Sequence, residues 1–152
     1  MKIGVVSDTH GLLRPEVTAA LKGVERILHL GDVGDPGILR ELEKIAPVTA
    51  VRGNIDREGE CARLPETEVL EVQGISLYLL HSIEELDLDP ATAGFAAVLH
   101  GHSHKTDIRR HKRVLYFNPG SCGPRRFRLP VTMGYLHVEA GGEIEAEVLE
   151  LG

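Results

Sequence analysis

The chain has 152 residues, of which 42% are hydrophobic and 26% are charged. This length and composition exclude a disordered protein and suit one folded domain over residues 1–152 with a hydrophobic core. The formal net charge of −6 disfavours an extended nucleic-acid surface, because such surfaces need many basic residues. Metal ions or a few arginines can still bind a phosphate locally.

The N-terminal residues lack the features of an export signal. Their apolar stretch ends at Ser7 and Asp8, which is far too short for the apolar region of a signal peptide. No stretch approaches the roughly 18 apolar residues needed to span a membrane. Cys61 and Cys122 are far apart in the chain, and without an export signal we expect them to be free thiols. These features predict a cytoplasmic protein that does not enter a membrane.

The first third of the chain alternates between predicted strands and helices. Strands are predicted over residues 2–7, 26–30 and 48–51, and helices over residues 15–22 and 36–45. Pro15 and Gly23 are typical of the start and the end of the first helix. The second helix has an apolar face and ends before Pro47. This alternation predicts an α/β fold with a largely parallel sheet.

The remainder of the chain is richer in strands. We predict strands over residues 68–72, 75–80, 96–99, 108–110, 114–117, 132–138 and 144–151. Residues 108–117 are expected to form a hairpin around His111 and Lys112, and the last two strands form a hairpin across residues 140–142. The simplest account is one α/β domain with two sheets.

Polar side chains follow the ends of five predicted strands. They are Asp8, His10, Asp32, Asn54, His81, His102 and His104. In open α/β sheets, ligands bind outside the carboxyl ends of the strands. We therefore expect these side chains to meet in one site.

The donor atoms of this set are carboxylate and amide oxygens and imidazole nitrogens. Such a mixture suits catalytic Mn, Fe or Zn better than a structural zinc site, which usually includes cysteine. Seven ligands exceed the needs of one tetrahedral ion and suit two ions that share a carboxylate. Paired ions of this kind act in displacement reactions at phosphorus.

The same residues resemble the five sequence blocks of the calcineurin-like metallophosphoesterases. The blocks are Asp8-x-His10, Gly31-Asp32, Gly53-Asn54-x-Asp56, His81 and Gly101-His102-x-His104. The length of the chain and its Asn118-Pro119-Gly120-Ser121 loop are similar to those of the small prokaryotic phosphodiesterases in that superfamily.

The resemblance implies a fold, a ligand assignment and a metal. The fold is a single-domain two-sheet α/β sandwich flanked by helices. Asp8, His10 and His104 would bind one divalent ion, Asn54, His81 and His102 the other, and Asp32 would bridge them. Manganese is the expected ion, with iron, zinc and nickel as alternatives.

The sequence departs from this family pattern at two positions. The superfamily has a histidine between the asparagine and the acidic residue of the third block, and this histidine is thought to protonate the leaving group. Here that position is Ile55, which has no titratable proton. Ser82 follows His81 where glycine is more usual, and this change leaves the ligand in place.

Further residues are predicted around the metal ligands. Asp32, Asn54 and Asp56 are the predicted catalytic residues, with Asp56 orienting the site from behind the ligands. Arg125 and Arg126, together with Ser121, are predicted to bind substrate phosphate, because arginine makes bidentate contacts with phosphates. A solvated basic turn is an equally good interpretation of the arginines. His29 and His100 are expected to pack beside the ligands or to orient them.

These patterns predict a metal-dependent phosphodiesterase whose metal-bridging hydroxide attacks a small phosphate ester. The alternative is a non-catalytic scaffold of the same fold, similar to the retromer subunit; the complete ligand set favours the enzyme. A homo-oligomer is also expected, because the terminal hairpin offers a strand edge for pairing.

Overall fold

The computed structural model describes residues 1–151. Its helices are α1 (Pro15–Ala20), α2 (Pro36–Glu43) and α3 (Pro90–Ala93), with 3₁₀ helices at Glu60–Arg63 and Ile83–Glu85. Its strands are β1 (Lys2–Val6), β2 (Arg26–His29), β3 (Val48–Ala50), β4 (Thr67–Val72), β5 (Ile75–Leu80), β6 (Phe95–Leu99), β7 (Asp107–His111), β8 (Val114–Asn118), β9 (Thr132–Val138) and β10 (Ile144–Glu150).

The strands form two five-stranded sheets. The first has the order β10-β9-β1-β2-β3, in which β1, β2 and β3 are parallel and the terminal hairpin is antiparallel. The second has the order β4-β5-β6-β8-β7, in which β5, β6 and β8 are parallel and both edge strands are antiparallel. The parallel strands at the centre of each sheet therefore end in loops that can share one site.

Three apolar layers hold these elements together. The central layer lies between the sheets and includes Leu28, Leu79 and Phe117. The second layer packs α1 and α2 on the outer face of the first sheet, and the third packs residues around α3 on the outer face of the second. The predicted two-sheet α/β sandwich with flanking helices is confirmed. No helix within residues 1–151 is long and apolar enough to span a membrane.

Local differences from the predicted elements have simple physical causes. α1 and α2 each end two residues early, because the chain turns at Leu21 and Lys44, the residues that cap the two helices. α3 was not predicted, because four residues are too few to show a helical period. The hairpin turn lies at Lys112 and Arg113, one residue later than predicted, since both residues adopt positive φ angles of 50° and 68°.

The predicted free thiols are confirmed: Cys61 and Cys122 are both unpaired and buried.

Candidate metal centre

The candidate ligands lie at the carboxyl ends of the parallel strands. Five of them have positive φ angles: Asp8 (59°), His10 (44°), Asp32 (57°), His102 (73°) and His104 (63°). Residues other than glycine rarely adopt this conformation, and it costs energy that functional sites often retain. These sharp turns bend each loop directly after its strand.

Backbone hydrogen bonds join the loops to one another. The Asp8 N–H donates to the carbonyl of Gly31 at 3.0 Å, and the His10 N–H donates to the carbonyl of Asp32 at 2.9 Å. In the other sheet, the Gly101 N–H donates to the carbonyl of His81 at 2.9 Å. The ligands are therefore positioned by a shared framework and not by independent flexible loops.

The first group of candidate ligands consists of Asp8, His10 and His104, whose ligand atoms lie within 4.8 Å of one another. The Oδ1 atom of Asp8 is 3.6 Å from Nε2 of His10 and 3.4 Å from Nε2 of His104. The Oδ2 atom of Asp8 is already occupied, since it accepts hydrogen bonds from the Ser7 hydroxyl and the His102 N–H. Only Oδ1 is therefore open toward the histidines.

The second group consists of Asp32, His81 and His102, also within 4.8 Å of one another. The His81 Nδ1–H donates to the carbonyl of Leu30 at 2.7 Å, which leaves the lone pair of Nε2 directed into the group. The Nδ1 atom of His102 lies 3.3 Å from this Nε2 and 3.1 Å from Oδ1 of Asn54. Asn54 therefore adds an amide oxygen to the second group.

Asp32 lies between the two groups. Its Oδ2 atom is 3.4 Å from Nε2 of His10 and 3.3 Å from Nε2 of His81. Its Oδ1 atom accepts a hydrogen bond from the Ile55 N–H at 3.0 Å. Gly53 allows this close approach, because a Cβ atom there would lie 2.1 Å from Oδ1 of Asp32.

Ion pairing perturbs the pKa values in the cluster. Burial disfavours the charged form of Asp8, but His10 and His104 outweigh it and hold the pKa of this carboxyl well below its usual range. The Asp8 carboxylate in turn raises the pKa of His10. Burial opposes the charged form of His81, yet Asp32 raises its pKa. The carboxylates are thus ionised and ready to bind cations.

The residues present fit divalent metal ions. Oδ1 of Asp8 and Nε2 of His10 are buried and make no hydrogen bond within residues 1–151. Buried polar atoms without partners are costly, and a cation between them would satisfy them. Oxygen and imidazole donors without a thiolate suit Mn, Fe or Zn. The cluster therefore has the donors of a metal site.

Asp56 and Ser121 lie behind the ligands. The Asp56 carboxylate is buried and accepts hydrogen bonds from the N–H groups of Val33, Gly34 and Gly53. The Ser121 hydroxyl is also buried and donates to the carbonyl of Asp8 at 3.1 Å. Both side chains are thus engaged with the protein backbone, and Asp56 also lines the cavity beside Asn54 and His81. Their predicted roles in catalysis and substrate binding stay predictions.

Arg125 and Arg126 are exposed and lie on the side of the first group. Together with Pro124, His10 and His104 they line a cavity of about 260 Å³. The structure therefore places the two arginines beside the cluster. Their binding of substrate phosphate stays a prediction.

Two of the buried residues behind the ligands have roles that the sequence did not resolve. His29 is fully buried, and its Nδ1 accepts a hydrogen bond from the Gly31 N–H at 3.1 Å. Its Nε2–H therefore donates to the Thr9 hydroxyl at 3.0 Å, and this hydroxyl donates to the carbonyl of Val33. His29 thus supports the loop between Asp8 and His10.

Asn118 performs the corresponding task for the Gly101–His104 loop. Its amide NH₂ donates to the carbonyl of Gly101 and to the Ser103 hydroxyl, both at 3.1 Å. Its Oδ1 accepts from the Gly120 N–H at 2.9 Å. Sequence reasoning missed this role, although the Asn-Pro-Gly-Ser motif marked the segment.

Comparison with known proteins agrees with the geometry. Residues 1–141 match the calcineurin-like phosphoesterase superfamily domain. A probable metallophosphoesterase of Methanothermobacter thermautotrophicus is 35% identical, and the match covers 100% of this chain and 94% of the relative. The chain therefore belongs to the calcineurin-like phosphoesterase superfamily.

Two solved structures are similar in fold. The structure of an archaeal phosphodiesterase matches with a TM-score of 0.78 and 25% identity, covering 98% of this chain and 100% of that one. The structure of Entamoeba histolytica Vps29 in complex with zinc matches with a TM-score of 0.76 and 19% identity, covering both chains completely. The second likeness shows the fold alone.

Proposed function

We propose that the protein is a phosphodiesterase that uses two divalent metal ions, with manganese as the activating ion. Asp8, His10 and His104 would hold one ion, and Asn54, His81 and His102 the other. The observation that supports this proposal most strongly is the position of Asp32, whose Oδ2 lies 3.3–3.4 Å from an imidazole nitrogen of each group. A carboxylate oxygen so placed can bridge two ions.

The bound ions would supply positive charge for the phosphate oxygens and a water molecule acidic enough to act as the nucleophile. The protein holds the ligand atoms in place for this chemistry. The Leu30 carbonyl fixes the His81 ring, and the Ile55 N–H orients Asp32. We assign Asp56 a positioning role, because three backbone N–H groups occupy its carboxylate.

Ile55 favours diesters over monoesters as substrates. Its backbone N–H donates to Oδ1 of Asp32, and its side chain is 42% exposed. An apolar side chain there suits an esterified oxygen better than a second free phosphate oxygen, and it cannot donate a proton to the leaving group. Aryl diesters, whose leaving groups need little protonation, should therefore be good substrates. The phosphodiesterase activity of a structural relative supports this choice.

We also propose that the protein acts in the cytoplasm on a small phosphate ester. The acidic net charge supports a small-molecule substrate over extended nucleic acid.

The second candidate function is a non-catalytic scaffold. The fold likeness to Vps29 favours it, and that protein was solved with zinc, so metal binding alone does not separate a scaffold from an enzyme. Hydrolysis does separate them. A measurement of hydrolytic turnover therefore distinguishes the enzyme from the scaffold.

The test is hydrolysis of bis(p-nitrophenyl) phosphate by protein reconstituted with manganese. We expect turnover in the wild type, its loss on chelation, and its loss in Asp32→Asn. The matched control is Asp87→Asn, which makes the same change at an exposed side chain outside the cluster. Absence of hydrolysis with manganese, iron, zinc and nickel in turn, with metal bound, would support the scaffold instead.

A further inference from the structure

The candidate metal cluster lies between two cavities. The cavity on the side of His10 and His104 has a volume of about 260 Å³ and is completed by Pro124, Arg125 and Arg126. We call it the arginine cavity. The other cavity, of about 440 Å³, lies on the side of Asn54, His81 and His102. A substrate bound at the cluster can therefore extend in two directions.

The arginine cavity is positively charged. Its lining contains two arginines and no carboxylate. The guanidinium of Arg126 makes no hydrogen bond or ion pair with residues 1–151. The Asp8 carboxylate raises the pKa of His10 and the charge of Arg126 opposes that rise, so Arg126 lies within electrostatic reach of this ring.

A second feature of the arginine cavity also points to a ligand. The His104 ring lines the cavity and is only 5% exposed, and its Nδ1 atom has no hydrogen-bond partner within residues 1–151. The cavity thus combines an unpaired guanidinium with a buried imidazole nitrogen. The exposed guanidinium of Arg126 can donate hydrogen bonds to an anion. The volume of the cavity is several times the roughly 30 Å³ of a water molecule.

The larger cavity has the opposite charge. Arg52 pairs there with Glu66, and Arg57 donates to the carbonyl of Asn54. The exposed carboxylates of Glu84 and Glu85 also line this cavity and have no side-chain partner within residues 1–151. An anionic substituent would be repelled on this side, whereas an uncharged or cationic alcohol would be accepted.

We propose that the arginine cavity is a subsite for a second phosphate of the substrate, bound by Arg126. The substrate is then a phosphodiester with a further phosphate on one of its ester groups and no negative charge on the other. This inference rests on the proposed phosphodiesterase function, because it takes the metal cluster as the place of the scissile phosphate.

Two p-nitrophenyl diesters of identical leaving group test the proposal. The first is propyl p-nitrophenyl phosphate, and the second carries a further phosphate at the end of the propyl chain. We expect the wild type to have a kcat/KM at least about tenfold higher for the phosphorylated diester, mainly through KM, since Arg126 would make a charge-assisted hydrogen bond with the added phosphate. Arg126→Gln should remove this preference.

Arg128→Gln is the matched control. It makes the same change of charge in the same loop, but Arg128 does not line the arginine cavity, so the preference should persist. An equal preference in Arg126→Gln and the wild type, or no preference in the wild type, would overturn the proposal.

A binding measurement separates failure of the subsite from failure of the proposed function. Calorimetry on the manganese-loaded protein compares propyl phosphate with 1,3-propanediol bisphosphate, and needs no hydrolysis of a diester. We expect tighter binding of the bisphosphate, reduced by Arg126→Gln and retained by Arg128→Gln. Equal binding of the two compounds by the wild type would overturn the subsite even in an active enzyme.

Discussion

The carboxylate of Asp56 accepts a hydrogen bond from the backbone N–H of Gly53 at 2.9 Å. The same carboxylate accepts from the N–H groups of Val33 and Gly34, which follow Asp32 in the chain. The buried side chain of Asp56 thus joins the loop that contains Asp32 to the loop that contains Asn54. We therefore expect the relative position of these two loops to depend on Asp56.

We expect Asp56→Ala to lower the free energy of unfolding by about 2–5 kcal/mol, because it leaves three backbone donors without an acceptor. Asp56→Asn keeps one oxygen and should cost less. Urea unfolding of the metal-free proteins measures the difference, with Asp87→Ala as an exposed control. If Asp56 instead acts directly on substrate, Asp56→Asn should lose kcat at saturating metal without a loss of stability.

Asp32 and His10 should differ in their effect on metal content. Asp32→Asn is expected to weaken binding of both ions, since Oδ2 of Asp32 faces both ligand groups. His10→Ala should weaken one ion and leave the other in place. Elemental analysis after dialysis against a fixed manganese concentration gives the stoichiometry, and His111→Ala, at the exposed end of β7, is the control. One ion per chain in the wild type would contradict the two-ion proposal.

His29 should make the metal-free protein less stable in mild acid. Burial lowers the pKa of this ring to about 4, whereas a histidine in an unfolded chain has a pKa of about 6.5. The unfolded state therefore binds more protons between these values, and stability is lost as the pH falls from about 6.5 toward 4. The loss attributable to His29 between pH 7 and pH 5 is roughly 2 kcal/mol.

The comparison of wild type with His29→Gln isolates this contribution from the other titrating groups. We expect the stability difference between the two proteins to shrink on going from pH 7 to pH 5, as followed by urea unfolding in the presence of a chelator. Parallel pH profiles would show that His29 does not titrate in this range.

The parts of the site that the sequence predicted are those with a regular period or a motif. Strand ends and the order of the ligand blocks placed Asp8, Asp32 and His81 in one site, because parallel strands present their carboxyl ends together. The supporting contacts had no such signal. The hydrogen bond between His29 and Thr9 joins residues 20 positions apart, and its geometry arises only when β1 and β2 are paired.

The predicted role of Ser121 shows the same limit. Its place after a loop that resembles phosphodiesterase sequences suggested contact with substrate. Only the fold reveals that its hydroxyl donates to the carbonyl of Asp8, 113 residues earlier in the chain. A sequence motif can place a residue near a site, but the direction of its side chain depends on the packing in the folded protein.

A homo-oligomer remains a prediction. β10 is an edge strand of the first sheet and offers unpaired backbone groups to a second copy. Sedimentation over a range of protein concentrations tests this expectation. A monomer at every concentration would contradict it and would leave the proposed chemistry unaffected.

Ile55 should determine how the rate depends on the leaving group. Its N–H is bound to Asp32, and this contact survives a change of side chain. Since Ile55 cannot donate a proton, the wild type should hydrolyse aryl diesters well and alkyl esters poorly, because a general acid contributes about 10²–10⁴-fold when the leaving group is strongly basic. Ile55→His should raise turnover on poor leaving groups more than on good ones.

Backbone N–H groups occupy the Asp56 carboxylate, so Asp56 is not free to orient an imidazole at position 55. The new imidazole would therefore be oriented less well, and we expect a gain of roughly tenfold, below the usual range for a general acid. The measurement is kcat across phosphodiesters of graded leaving-group pKa for the wild type, Ile55→His and the control Ile55→Leu. A shallower dependence only in Ile55→His supports the assignment. Equal slopes in all three proteins, with metal content unchanged and chemistry rate-limiting, would show that another group supplies the proton or that none is needed.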